Sequence, residues 1–299
     1  MKLVEEIKQT FKSGNTLSRL IYVNLAVFVG FNLIYAILFL FNNDAEILVE
    51  WLALPADGSV LISRPWTLIT YMFLHKSFIH ILFNLMILFW FGKIFLNYLS
   101  QRQLLAIYLL GGFAGALFYI TAYNLFPAFS IDKDISVALG ASASVMAIVI
   151  AISTLVPKQE VYLMFFGKVR LIYIALFTVL IDLISIPINN AGGHIAHLGG
   201  AALGYLFTIS YKNGKDFTPG FSKFLDTIFN FFRKKEPIKV TYRNKKERQT
   251  RNESDTDYNA RKKKEQDQIN RILDKVASSG YGSLTPKEKE LLFKMSNKK

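Results

Sequence analysis

Long apolar runs separated by short polar segments dominate the first two thirds of the sequence. Each run holds about 18 or more residues, the length that an α-helix needs to cross about 30 Å of hydrocarbon. We place six spans at about 19–41, 72–97, 103–126, 137–156, 169–188 and 193–211. The pattern therefore predicts an all-α membrane protein, built as a bundle of six transmembrane helices.

Composition supports this class of protein. Of the 299 residues, 52% are hydrophobic and only 19% are charged, which is less charge than a soluble domain carries. The first 18 residues contain acids and no apolar stretch, so we expect no cleavable signal peptide and expect the first span to stay in the protein. The sequence has no cysteine, which excludes disulfides, thiolate zinc sites and a cysteine nucleophile.

Basic residues alternate along the connections between spans. They precede span 1 and follow spans 2, 4 and 6, whereas the other connections are acidic or nearly uncharged. Residues 212–299 alone hold 23 Lys and Arg against 12 Asp and Glu, and so supply most of the net charge of +13. Cytoplasmic connections carry an excess of Lys and Arg. We therefore expect both termini to be cytoplasmic, in a multi-pass protein of a bacterial inner or plasma membrane.

The segment after the last span changes character twice. Residues 217–232 place apolar side chains at helical spacing ahead of the basic residues 233–235, which predicts a helix in the cytoplasmic interface of the bilayer. Residues 236–264 are charged and predict no packed structure, and a small helical unit with a Thr285–Glu288 capping box is expected to follow. Topology and lipid contact account for the basic tail, so we expect no nucleic-acid partner.

Polar groups inside hydrocarbon are costly and are candidates for function. Ser142 opens span 4 and lies 15 residues before Pro157, while His197 in span 6 lies 15 residues before Lys212. Both therefore lie about 22 Å above the cytoplasmic ends of two spans that run in the same direction. This depth match predicts that a serine hydroxyl and an imidazole can meet in the outer part of the membrane.

Small residues would let these two spans approach closely. Gly200 and Gly204 form a GxxxG pair on span 6, and Gly140, Ala141 and Ala143 surround the serine. A hydrogen bond of roughly 2.6–3.2 Å between serine and histidine then becomes possible. On span 2, His80 and Asn84 are four residues apart and share one face of the helix.

Four motifs in this order resemble those of the rhomboid intramembrane proteases, over roughly residues 19–212. The matching segments are Arg64-Pro65-Trp66 in the first loop, His80-x-x-x-Asn84 for the HxxxN motif, Gly140-Ala141-Ser142-Ala143 for the GxSx motif, and Gly192-x-x-x-Ala196-His197-x-x-Gly200-x-x-x-Gly204 for GxxxAHxxGxxxG. One such motif would be weak, but four in family order are specific.

The resemblance implies a serine endopeptidase that uses a Ser–His dyad. Ser142 would attack the scissile carbonyl and His197 would transfer the proton, with no carboxylate needed to orient the imidazole. His80, the Asn84 amide and the Ser142 backbone N–H would bind the oxyanion. Substrates would be membrane proteins with a transmembrane segment that enters beside spans 2 and 5, and no cofactor or metal is expected.

The hydropathy pattern and the resemblance together give the expected domain boundaries. These are a cytoplasmic N-terminal segment over 1–18, a six-helix rhomboid protease domain over 19–212, an interfacial amphipathic helix over 213–235 and a basic cytoplasmic tail with a small helical unit over 236–299. The loop at about 42–68 would dip into the outer leaflet.

Several residues fit the resemblance less well. Ser144 is a rival nucleophile, but two positions rotate a helix by about 200°, so only one serine can face span 6. Ala143 replaces a common glycine, and Arg64 precedes the tryptophan of its motif instead of following it. His75 and His194 are expected near the cavity. Asp182, in mid-span 5, is outside the family's catalytic set, and the sequence suggests no partner for it.

Three other functions are compatible with the sequence. Asp182 and the histidines could form the relay of a proton-coupled transporter. Histidines of spans 2 and 6 could be the axial ligands of a haem. A catalytically inactive rhomboid-like protein could bind membrane clients, although such a protein would not require Ser142 and His197.

Overall fold

The computed structural model describes residues 14–163, 167–232 and 254–296. The chain divides into two compact units, residues 1–234 and 235–299. Most of the expected N-terminal segment, and residues 236–253 of the expected charged linker, lie outside the described residues.

The first unit is mostly helical over its described residues, 14–163 and 167–232. It begins with α1 (Thr16–Leu40), followed by α2 (Ile47–Leu52), strand β1 (Leu54–Pro55), α3 (Gly58–Ser63), α4 (Thr67–Thr70), a 3-10 turn (Tyr71–Phe73) and α5 (Phe78–Tyr98). Next come α6 (Gln101–Leu125), a 3-10 turn (Pro127–Phe129), strand β2 (Val137–Ala138) and α7 (Ser142–Leu155). The hairpin β3 (Glu160–Leu163) and β4 (Gly167–Arg170) then leads to α8 (Leu171–Ser185), α9 (Ala191–Lys212) and α10 (Thr218–Phe232).

Three helices in the described part of the chain, α1, α5 and α6, are long and apolar enough to cross a membrane. Helices α7 and α8 are also apolar but have only 14 and 15 residues. Much of the large apolar surface of α1, α5 and α8 is exposed. The prediction of a mostly helical membrane protein is therefore confirmed.

Two predicted helix starts are wrong, and both errors lie next to the candidate site. Span 4 was predicted from residue 137, but α7 begins at Ser142 because Gly140 has a φ of +126°, outside the right-handed helical region. Span 2 was predicted from residue 72, but Tyr71–Phe73 is a separate 3-10 turn and α5 begins only at Phe78. His75 therefore belongs to the connection before α5.

Helix α7 is the buried centre of the bundle, with side chains packed on all sides. A Cβ on Gly200 would overlap the carbonyl of Ala143, and a Cβ on Gly204 would overlap that of Ala147. One turn further, Thr208 Oγ1 donates to the carbonyl of Ala151 across 2.8 Å. The close approach predicted from the GxxxG pair is thus confirmed, with small residues every four positions on both helices.

The ends of α7 and α9 lie side by side. Lys212 Nζ, at the end of α9, donates to the carbonyl of Thr154 near the end of α7 across 2.6 Å. Thr154 lies 12 residues after Ser142 and Lys212 lies 15 residues after His197, so this contact places the two site residues within about one helical turn of each other in height.

The connection between α1 and α5 is folded rather than extended. Leu54 and Pro55 of β1 pair antiparallel with Ala138 and Val137 of β2, so this loop is hydrogen-bonded to the segment that precedes Ser142. Within the connection, the side chains of Arg64 and Trp66 donate hydrogen bonds to the carbonyls of Glu50 and Trp51.

Helix α10 packs against α6 at its beginning. Gln103 Nε2 donates to Asp216 Oδ2 across 2.8 Å, and the Phe221 ring lies edge-on to Phe113, with ring centroids 6.4 Å apart. Phe224 and Ile228 stay exposed, so an apolar face remains.

The second unit contains α11 (Asp255–Ser279), a 3-10 turn (Tyr281–Ser283) and α12 (Pro286–Ser296). Helix α11 begins at residue 255, so the expectation of unpacked chain as far as residue 264 is wrong. Ile272 and Leu284 are buried between the elements of this unit, whereas Leu273 is exposed. The predicted capping box is confirmed: the Thr285 N–H donates to Glu288 Oε2 across 2.7 Å, and the Glu288 N–H donates to Thr285 Oγ1 across 3.4 Å.

Candidate active site

A cavity of about 360 Å³ opens between the starts of α5, α7 and α9. Its wall includes Ser142, His80 and His197. The other lining residues are Tyr71, Val137, Ala138, Leu139, Gly140, Ala143, Asn190, Gly193 and Ala196. Three of the four predicted site residues therefore come together in one place.

Ser142 is the first residue of α7 and is only partly buried. Its backbone N–H has no intrahelical acceptor, as is usual at a helix start, and the N-terminal end of the helix dipole points at this position. Within the described residues, its hydroxyl forms no hydrogen bond to His197, so the predicted Ser–His bond is absent in this state. Nucleophile and base are often further apart in a free enzyme than in a substrate complex.

The His80 ring lies directly over the backbone turn before Ser142. A Cβ on Gly140 would lie 3.1 Å from His80 Nε2 and 3.7 Å from Ser142 Oγ, so only glycine leaves room for the ring there. The positive φ of Gly140 also favours glycine at this point. A hydrogen-bond donor on the His80 ring would therefore lie near Ser142 Oγ, the atom that would attack a substrate carbonyl.

Asn84 is placed differently from the prediction. Its side chain is buried but does not line the cavity, and its Nδ2 donates to the His80 carbonyl across 2.9 Å. In this arrangement Asn84 supports the turn of α5 that carries His80, and only its second amide hydrogen would be available to an oxyanion.

His75 holds the loop that leads into α7. The residue is completely buried, its Nδ1 lies 3.2 Å from the Phe73 carbonyl, and its Nε2 accepts from the Ala141 N–H across 3.3 Å. The neighbouring Gly140 N–H donates to the Tyr71 carbonyl across 2.9 Å. These bonds connect the turn before Ser142 to the segment before α5. No local sequence pattern indicates this role for His75.

Asp182 of α8 is buried beside two histidines of α9. Its Oδ1 lies 2.9 Å from His197 Nδ1 and 2.7 Å from His194 Nδ1. His194 and His197 are three residues apart and so face the same side of α9. The sequence offered no partner for Asp182, because its partners lie on a different helix.

Among the residues that the structure describes, these three form a group that could hold a metal ion. The ligand atoms of Asp182, His194 and His197 lie within 4.8 Å of one another. Both oxygen–nitrogen separations are hydrogen-bond lengths, so hydrogen bonds account fully for the arrangement.

Ser144, the rival nucleophile, faces away from the cavity. It is 1% exposed, and its hydroxyl has no hydrogen-bond partner within the described residues. Its Cα packs close to Gly111 of α6, on the side of α7 where the two helices touch.

Taken together, the fold and the cavity define a class of protein: a mostly helical integral membrane protein that holds a serine and histidines in a cavity among apolar helices. A rhomboid domain model matches residues 63–213, about half of the chain. The chain belongs to the rhomboid family. A separate match, to a family of unknown function (DUF6576), covers residues 252–298 in the second unit.

One curated relative is RHOMBOID-like protein 12, mitochondrial, of Arabidopsis thaliana. It is 31% identical over 161 residues, which cover 51% of this chain and 48% of the relative. The chain thus spans about half the length of that relative.

Proposed function

We propose that this protein is an intramembrane serine endopeptidase that hydrolyses peptide bonds in or near the transmembrane segments of other membrane proteins. The observation that carries this proposal is the placement of Ser142, His80 and His197 on one cavity wall, with Ser142 at the start of α7. Family membership supports it as well.

The proposed reaction is acyl transfer to serine followed by hydrolysis. His197 Nε2 removes the proton of the Ser142 hydroxyl as Oγ attacks the scissile carbonyl, and the same proton then passes to the leaving amine. A water molecule, deprotonated by His197, attacks the acyl-enzyme and releases Ser142. The Ser142 backbone N–H and His80 would donate to the tetrahedral oxyanion, with Asn84 as a further donor after rotation of its amide.

The membrane arrangement is part of the same proposal. Helices α1, α5, α6, α7, α8 and α9 would form six spans, with both termini cytoplasmic and the basic tail beside anionic lipid. The short helices α7 and α8 would then need either local thinning of the bilayer or water at their cavity ends. The apolar face of α10 would contact the cytoplasmic interface.

Substrates would enter sideways between α5 and α8. Helix α8 buries only Leu171, Ala175 and Asp182, so it is held less firmly than its neighbours. A transmembrane helix that unwinds at a small residue could then present an extended segment to Ser142.

The test is cleavage of a single-span test substrate by the purified full-length protein in proteoliposomes. We expect cleavage by the wild type and by Ser144→Ala, and none by Ser142→Ala or His197→Ala. Cleavage by Ser142→Ala would refute the nucleophile assignment. Absence of cleavage together with stable capture of the substrate by the wild type would favour the alternative, a catalytically inactive rhomboid-like protein that binds clients.

A further inference from the structure

The only acidic side chain of α8 lies where hydrocarbon would be expected. Asp182 is 4% exposed within a helix that is otherwise built almost entirely of apolar residues. An unpaired carboxylate there would cost several kcal/mol, so its hydrogen-bond donors carry much of its solvation. Both of its donors are imidazole nitrogens of α9.

These contacts determine that Nδ1 of His197 carries a hydrogen. An ionised carboxylate can only accept hydrogen bonds. A single oxygen that bonds two Nδ1 atoms therefore requires a hydrogen on each of them. A neutral imidazole with its hydrogen on Nδ1 has an unprotonated Nε2, which is the state that a general base needs.

Ser142, His197 and Asp182 also follow one another in the order that a catalytic triad requires. His197 lines the cavity with Ser142, whereas Asp182 does not line it and contacts the histidine at Nδ1, the ring nitrogen other than the catalytic Nε2. The carboxylate thus lies behind the imidazole as seen from the serine. From there it can orient the ring and stabilise the positive charge that develops on it.

We propose that Asp182 is a positioning residue for His197, so that the site operates as a Ser142–His197–Asp182 triad. The inference rests on the proposed function. His194 has a supporting part: as the second donor to Asp182 Oδ1, it holds the carboxylate in place and shares its charge.

The first experiment reads the histidine directly and does not depend on catalysis. The chain has four histidines, so 15N-histidine NMR of the full-length protein in micelles can resolve His197 by its absence in His197→Ala. In the wild type, we expect neutral His197 as the Nδ1–H tautomer. In Asp182→Asn we expect the Nε2–H tautomer to appear. A wild-type His197 in the Nε2–H form would overturn the proposal.

The second experiment separates positioning from stability by kinetics on the single-span substrate. Asp182→Asn should lower kcat by about 10⁴-fold, the effect of losing a triad carboxylate, with little change in KM. Thr178→Val is the matched control: this residue lies one turn earlier on α8, bonds only the Ala175 carbonyl across 2.9 Å, and should keep wild-type kinetics.

The outcomes are distinguishable. If Asp182→Asn keeps wild-type kcat while Ser142→Ala is inactive, the triad is wrong and the protease stands. If the wild type does not cleave, the proposed function fails, and the tautomer measurement still decides the Asp182 contact. If Asp182→Asn does not fold, the tautomer of His197 in the wild-type protein decides whether Asp182 has the proposed role. Activity that a chelator abolishes and zinc restores would also overturn the proposal, because a metal on Nδ1 would replace these hydrogen bonds.

Discussion

The imidazole Nε2 of His75 accepts a hydrogen bond from the backbone N–H of Ala141, the residue immediately before Ser142, across 3.3 Å. The other ring nitrogen lies 3.2 Å from the Phe73 carbonyl. One buried side chain thus links the segment before α5 to the turn that presents the proposed nucleophile.

Replacing His75 should therefore change the position of Ser142 indirectly, through the backbone of Ala141. In His75→Phe the Ala141 N–H loses its buried acceptor, which costs about 1–3 kcal/mol of stability. Displacement of the turn should slow substrate cleavage by on the order of 10–100-fold. Thermal unfolding and cleavage rates would measure the two effects. His75→Gln, which can still donate and accept, should lose less, and a fully active His75→Phe would contradict this role.

The contact between α7 and α9 makes a second prediction. Gly200→Ala would force a methyl group into the Ala143 carbonyl, so the helices must separate. We expect a loss of about 1–3 kcal/mol or more, and reduced activity because Ala143 adjoins Ser142.

The matched control for Gly200 is Gly30 of α1. A Cβ there would meet nothing within 4 Å. Gly30→Ala should be neutral or stabilising by about 0.5–1 kcal/mol, since alanine has the higher helix propensity. Comparison of the two unfolding midpoints in the same detergent checks the prediction, and equal midpoints would contradict it.

The loop before α5 is stabilised by Arg64 and Trp66. Arg64 Nη1 donates to the Glu50 carbonyl across 2.7 Å and its guanidinium lies 4.8 Å from the centre of a Trp51 ring. Trp66 stacks on Trp51, and its Nε1 donates to the Trp51 carbonyl across 2.8 Å. Despite the unusual order of Arg64 and Trp66 in the motif, both side chains therefore contact the same short helix, α2.

Trp66→Phe should lower stability by about 0.5–1.5 kcal/mol, the net contribution of one hydrogen bond. Trp90 is the control, because it is an exposed tryptophan of α5 whose indole has no hydrogen-bond partner within the described residues. Trp90→Phe should leave the unfolding temperature unchanged. A similar shift in both variants would contradict the role given to Trp66.

The second unit should respond to acid through Glu288. Hydrogen bonds from the Thr285 backbone and from Lys275 lower the pKa of this carboxyl from 4.5 to about 2. A lowered folded-state pKa means that the stabilisation is complete above pH 4.5 and is lost as the pH falls towards 2. Helix content of a 235–299 fragment, followed by circular dichroism, should fall in this window. Glu288→Gln should lose the pH dependence, and an unchanged titration would contradict it.

Sequence patterns predicted the parts of this protein that depend on local periodicity. Gly200 and Gly204 indicated a close helix contact because their spacing of four puts both on one face, and Thr285 and Glu288 indicated a helix start because a capping box is local. The depth match of Ser142 and His197 followed from counting residues along two helices.

The errors and omissions come from tertiary structure. The start of α7 depends on the backbone of Gly140, which makes room for a ring from α5. Asp182 is 12 and 15 residues from its histidine partners and reaches them only because α8 packs on α9. Ala141 and His75 are 66 positions apart, and no local pattern joins them.

Reaction with a fluorophosphonate probe, followed by peptide mass spectrometry, tests the central claim most directly, because the probe bonds covalently to an activated serine. The full-length wild type should carry the adduct on Ser142, His197→Ala should label far more slowly, and Ser144→Ala should label like the wild type. An adduct on Ser144 or another residue, or labelling that is independent of His197, would contradict the account.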